Sequence, residues 1–120
     1  MTDGKLLDFE EMEVWLNSQD LAVDVYEDFS TCRDFTFVDQ IKRAAVFITG
    51  NIAEGAERST KPNFARFLGI SKGSTGEVRS MSRLAERLSF IEEKTSIQRY
   101  GQCESISRQL GGFAKQLRKN

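Results

Sequence analysis

The sequence predicts an all-α chain, an up-down-up-down four-helix bundle forming one domain over residues 1–120. Three observations carry this reading. Apolar residues recur at three- and four-residue spacing through four long segments, and no segment alternates as a strand would. The single proline, Pro62, stands where a helix would begin rather than inside one. Short polar connections separate the segments, which makes consecutive helices antiparallel neighbours.

The first helix is expected from Asp8 to Ser30. Phe9, Met12, Trp15, Leu16, Ala22, Val23 and Tyr26 share one side, and Val14, Leu21, Val25 and Phe29 widen it. That arc is broader than a lone surface helix needs, so burial on two sides is expected, by the bundle and by another subunit. The opposite face carries Glu10, Glu13, Asn17, Asp20, Asp24, Glu27 and Asp28. It reads as a solvated acidic face or as a docking surface for a basic partner.

After a connection at residues 31–36, the second helix is expected from Phe37 to Ala56. Phe37, Ile41, Ala44, Ala45, Ile48 and Ile52 fall on one narrow arc. Ala44, Ala45 and Gly55 lie on or beside it, so a neighbouring helix can approach closely. Asn51 sits at its edge, where an amide needs hydrogen-bond partners.

Ser59 or Thr60 can cap the third helix, expected from Lys61 to Ser89. Phe64, Phe67, Leu68, Ser71, Thr75, Val78, Ser82 and Ala85 form its seam. A second face carries Ala65, Gly69, Lys72, Gly76, Arg79, Arg83 and Arg87. Gly69, Gly73 and Gly76 each cost about 1 kcal/mol relative to Ala inside a helix. Tolerance of three implies close backbone approach by another helix, a ligand or a nucleic-acid backbone. The run Gly73-Ser74-Thr75-Gly76 is not a phosphate loop: it lacks the spacing, the Lys-Ser/Thr ending and a preceding strand. The fourth helix is expected from Thr95 to Arg118, with Cys103, Ile106, Leu110, Phe113, Ala114 and Leu117 as its seam.

Composition narrows the function. With no histidine and two cysteines far apart, the commonest general base and the usual zinc ligands are missing, so no metal or cofactor is expected. Cys32 and Cys103 read as free thiols in a reducing cytoplasm, Cys103 in a packing role. The polar start of the chain is no signal peptide, and no apolar run reaches the roughly 20 residues that span a membrane. Net charge is −1, but residues 1–57 hold 4 Lys/Arg against 13 Asp/Glu, and residues 58–120 hold 13 against 5. Such asymmetry implies complementary surfaces within the fold, between subunits or towards an anionic partner.

Several motifs carry a resemblance. They are Phe9-Glu10-Glu11-Met12-Glu13-Val14-Trp15, Gln40-Ile41-Lys42-Arg43-Ala44-Ala45, Asn51-Ile52-Ala53-Glu54-Gly55, the group Phe64, Arg66, Phe67 and Leu68, and Gly73-Ser74-Thr75-Gly76-Glu77. Over almost its whole length the chain resembles the four-helix-bundle proteins encoded in intervening sequences of bacterial 23S ribosomal RNA genes. Lys42 stands where that family usually has Arg, and Phe47 and Thr49 replace small residues or proline. The resemblance implies a ring-like homo-oligomer, a pentamer, without a settled activity. It also implies kinship with accessory proteins of the reverse transcriptases of diversity-generating retroelements, which bind both enzyme and nucleic acid.

Two functions compete. In the first, a non-enzymatic oligomer binds RNA or DNA backbone through Lys72, Arg79, Arg83 and Arg87, supplemented by Lys61 and Arg66. The same stripe can instead pair with the acidic first helix of a neighbouring subunit. In the second, the protein is an interaction scaffold or accessory subunit that docks a reverse transcriptase or other basic protein on its first helix. An enzyme would have to use Glu54 and Glu77 with Arg43. Without histidine, metal cluster or nucleophile–base pair, no catalysis is expected. Arg43, Asn51, Glu54, Gly55 and Glu77 are expected as structural or interfacial groups, and Trp15 and Phe64 in packed positions.

Overall fold

The computed structural model describes residues 8–58 and 60–119. The polar N-terminal segment and the candidate cap Ser59 lie outside these residues. Four helices form the described chain, α1 (Glu13–Asp28), α2 (Phe35–Ala56), α3 (Lys61–Arg87) and α4 (Glu93–Arg118), and no strand occurs among the described residues. They build an elongated bundle of 48 × 22 × 20 Å. Both α1 and α3 pack on α2 and on α4, so α1 and α3 stand at diagonally opposite corners.

Local chemistry moves several helix ends from their expected places. The expected first helix is broken: Phe9–Glu11 form a 3₁₀ turn capped by Asp8, and Met12 is extended at φ −80°, ψ 128° before α1 starts. The break buries Met12 and brings Phe9 edge-on to Trp15, their ring centroids 5.3 Å apart. Helix α2 begins two residues early because the Asp34 carboxylate accepts from the Phe37 amide at 3.1 Å. Thr60 caps α3, with Pro62 in its first turn.

Helix α3 stops at Arg87, not Ser89. Ser89 adopts the left-handed conformation at φ 63°, its amide donates to Glu86, and the Phe90 amide reaches back to Ala85 at 2.8 Å. This is a Schellman ending with serine in the position glycine usually takes. It turns Phe90 onto Phe37, which packs against Phe29, so three aromatic rings close this end of the bundle. Phe64 against Phe113 holds the other end.

The core confirms the narrow arc of α2: Ile41, Ala45, Ile48 and Ile52 are fully buried. The broad arc of α1 divides into a side that meets the bundle and a side that the protomer leaves exposed. Its core stripe is Val14, Ser18, Leu21, Val25 and Phe29, whereas Leu16, Val23 and Tyr26 are 47%, 58% and 46% exposed. When apolar residues cover half a helix, periodicity cannot say which half meets the bundle.

The expected close approach is present at Gly55 and absent at the glycines of α3. A Cβ on Gly55 would lie 2.7 Å from the Phe67 Cβ and 2.9 Å from the Phe64 Cδ1. At Gly69, Gly73 and Gly76 a Cβ would meet nothing within 4 Å, so no neighbouring helix of the protomer explains these three.

The acidic face of α1 is partly absorbed by α4. Arg99 grips Asp28 with two hydrogen bonds, Nε at 2.6 Å and Nη2 at 2.9 Å, and Gln102 donates to Asp24 at 2.9 Å. The hydrogen bond to Asp28 holds the Arg99 guanidinium above its usual pKa, against the opposing effect of burial. Further along the same seam Asn17 donates to Gln109, which donates to Ser105. Asp24 and Asp28 are therefore internal partners rather than members of a free docking surface.

Three predictions rest on this packing. Gly55→Ala should destabilise the protein by about 2 kcal/mol, because Phe64 and Phe67 cannot both retreat. Gly69→Ala, Gly73→Ala and Gly76→Ala should each stabilise it by up to about 1 kcal/mol. Chemical denaturation compares the four variants directly. Arg99→Leu should cost about 3 kcal/mol in the same assay, because it strands the Asp28 carboxylate, whose side chain is only 8% exposed.

Candidate nucleic-acid interface

Helical spacing assembles the basic face. From Lys72, steps of seven, four and four residues reach Arg79, Arg83 and Arg87, so all four project from one side of α3. Lys61 extends the row by three further turns. At 1.5 Å per residue the row from Lys61 to Arg87 is about 40 Å long. All five side chains are exposed, and among the described residues none forms an ion pair.

Helix α4 supplies the opposite wall. Lys72, Arg79, Glu104, Ser107, Arg108 and Gly111 line an open groove of ≈ 480 Å³ between α3 and α4. Arg108 was not among the residues singled out from the sequence. The signal was there, since it lies four residues beyond Glu104 on α4, but only the α3–α4 register brings it beside Lys72. The Lys72 ammonium lies across the groove floor, 3.4 Å from where a Cβ on Gly111 would stand. The Arg79 guanidinium lies over the Tyr100 ring at 5.4 Å. A smaller basic concavity, lined by Lys61, Pro62, Leu117, Arg118 and Lys119, continues the positive surface to the bundle end.

One predicted member leaves the group. Arg66 points to the α2 side of α3, where it and Arg58 stack on Phe67 at 4.7 and 5.0 Å. Phe67 faces Gly55 of α2, so a residue beside it on that flank cannot reach the α4 groove.

Beneath the groove lies Cys103, fully buried. Burial pushes its thiol up to about 12, although Arg79 and Arg99 act in the opposite direction. It is a packing residue, and both cysteines are free.

The remaining candidates do not converge on a catalytic centre. Glu54 forms an exposed ion pair with Arg58 at 2.9 Å. Glu77 accepts from Gln40 at 3.3 Å. Gln40 and Glu54 are about 20 Å apart along α2, which separates the two carboxylates by a similar distance. Arg43 is exposed beside Thr36, Asp39 and Gln40. The Asn51 amide donates to the Phe47 carbonyl at 2.8 Å. Among the described residues no group of His, Cys, Asp and Glu could hold a metal ion.

The profile of the 23S rRNA-intervening sequence protein family matches residues 10–112. The chain belongs to this family. A crystal structure of a protein of unknown function from the S23 ribosomal protein family of Bacteroides thetaiotaomicron superposes with a TM-score of 0.80 at 22% identity, covering 85% of this chain and 98% of that one. At that identity the likeness establishes the shared bundle fold. No curated protein sequence matches the chain. Within the family segment, the motif residues Gly55, Phe64 and Phe67 form the close α2–α3 contact. Phe47 and Lys42, two departures from the family pattern, lie outside the core: Phe47 is 53% exposed, and Lys42 covers the Tyr26 ring at 4.6 Å.

The buried thiol gives a prediction. At pH about 8, a thiol reagent should modify half-buried Cys32 in the native protein and spare Cys103 until the chain unfolds. The folded thiol is held above the ordinary thiol value of 9.0, so its ionisation leaves stability unchanged below pH 9. Between pH 9 and about 12 ionisation favours the unfolded chain, and stability should fall with rising pH in that window.

Proposed function

We propose that this protein is a non-enzymatic homo-oligomer, a pentameric ring, that binds RNA or DNA backbone through the α3–α4 basic face. The observation that carries the reading is the segregation of charge. The unpaired cations of α3 stand at the bundle corner diagonal to α1, so no carboxylate of α1 neutralises them within the protomer. Arginine and lysine on a regular helical row suit phosphates and carry no base readout.

The three glycines of α3 support the same reading. Each weakens the helix by about 1 kcal/mol, and none serves an internal contact. Gly69 and Gly76 flank Lys72 on the solvent side, where the absence of a side chain lets an external backbone come close. Oligomerisation accounts for the exposed Leu16, Val23 and Tyr26 of α1 and Val46 and Phe47 of α2, an apolar surface the protomer leaves uncovered. A ring would repeat each basic face and convert weak single contacts into avidity. The scaffold reading, with a reverse transcriptase or another basic protein docked on α1, loses support because Asp24 and Asp28 already serve Arg99 and Gln102.

The test is a salt series with labelled RNA and DNA on the purified oligomer, its mass followed by light scattering. Affinity should fall steeply as salt rises. Arg79→Glu with Arg83→Glu should keep the mass and abolish retention. If that double variant dissociates the oligomer instead, the stripe is a subunit contact and the binding reading fails.

A further inference from the structure

The face described above also constrains what kind of nucleic acid it fits, an inference that rests on the backbone-binding reading. Proteins that hold single strands combine a basic groove with aromatic platforms on which bases stack. The α3–α4 face has the groove and lacks the platforms. Its one aromatic among the described residues is Tyr100, half-buried, with a ring face already covered by the Arg79 guanidinium at 5.4 Å. The exposed aromatics Tyr26, Phe35 and Phe47 belong to α1 and α2. The chain has aromatic rings to spare and places none of them free beside the cations.

Shape points the same way. The cations follow a straight helix for about 40 Å, slightly more than one turn of a duplex at 34–36 Å. Arg108 adds a charge on the parallel wall of the groove, so phosphates are met from two antiparallel helices. Gly111 of α4 keeps the groove between the walls low, and Gly69 and Gly76 leave the solvent side of α3 bare beside Lys72. A stiff rod with regularly spaced phosphates matches such a row without being ordered on binding, since a duplex stays straight over roughly 50 nm. A flexible single strand would lose its conformational freedom there with no stacking to offset the loss.

We propose that the ligand of this face is double-stranded nucleic acid, an RNA stem or a DNA duplex, held by its phosphates without reading of the bases.

The experiment measures fluorescence anisotropy of the intact oligomer with RNA and DNA duplexes of roughly 20 base pairs, about two turns. Their separated strands and a homopyrimidine strand of equal length complete the set. Each duplex should bind at least about tenfold tighter than its own strands, with little difference between unrelated sequences. Tyr100→Leu should change duplex affinity less than twofold, whereas Lys72→Glu with Arg79→Glu should reduce it at least about tenfold. Single strands that bind as tightly as duplexes, and weaken in Tyr100→Leu, would overturn the duplex inference and leave backbone binding standing. Failure of every probe to bind at low salt would overturn both.

Discussion

The contact at Gly55 is the constraint on which the rest of the bundle depends. With no side chain at that position, α2 meets Phe64 and Phe67 of α3 at a distance any Cβ would violate. Close approach at this end sets the register for the whole pair. Further along, the Ser71 hydroxyl reaches the Ile48 carbonyl at 2.8 Å, and Gln40 meets Glu77 at the far end. With Phe64, Phe67, Leu68 and Val78 turned inward against α2 and the core, the 3.6-residue period turns Lys72, Arg79 and Arg83 outward on the α4 side. The basic face is thus a geometric consequence of how α3 is anchored.

Charge and topology reinforce one another. In an up-down bundle the first and third helices are diagonal, so an acidic α1 and a basic α3 cannot neutralise each other within one protomer. Instead α1 draws on α4, where Arg99 and Gln102 hold Asp28 and Asp24. The near-neutral net charge of −1 therefore conceals a protomer with separated poles. Net charge alone counts against nucleic-acid binding, but the distribution removes that objection, because a phosphate backbone responds to the local field of one face.

Legibility of the sequence varied with the width of each apolar pattern. Helix α2, with a narrow arc, disclosed its buried residues correctly down to Ile41, Ala45, Ile48 and Ile52. Helix α1, apolar over half its surface, did not show which side meets the bundle: Val14, Leu21, Val25 and Phe29 turn inward, and Leu16, Val23 and Tyr26 face out of the protomer. The row Lys72, Arg79, Arg83 and Arg87 was readable because periodicity within one helix is a local property. Arg66, six residues before Lys72, lies about 120° from that row by the same periodicity, and Phe67 takes its guanidinium on the α2 side. Arg108 and Arg99 were missed because each acquires its role from a residue on another helix.

By itself, then, the sequence determined the four helices, their antiparallel order, the small residue at the α2–α3 contact and the opposed charges of the two halves of the chain. These follow from periodicity, turn chemistry and composition, all encoded within a few residues of each other. Tertiary structure alone decided which half of α1 is core, which carboxylates Arg99 occupies, which glycines face empty space, and which α4 residues share the groove with α3. Those are matters of rotation and register between helices, set by the summed packing of Phe64, Phe67 and their neighbours.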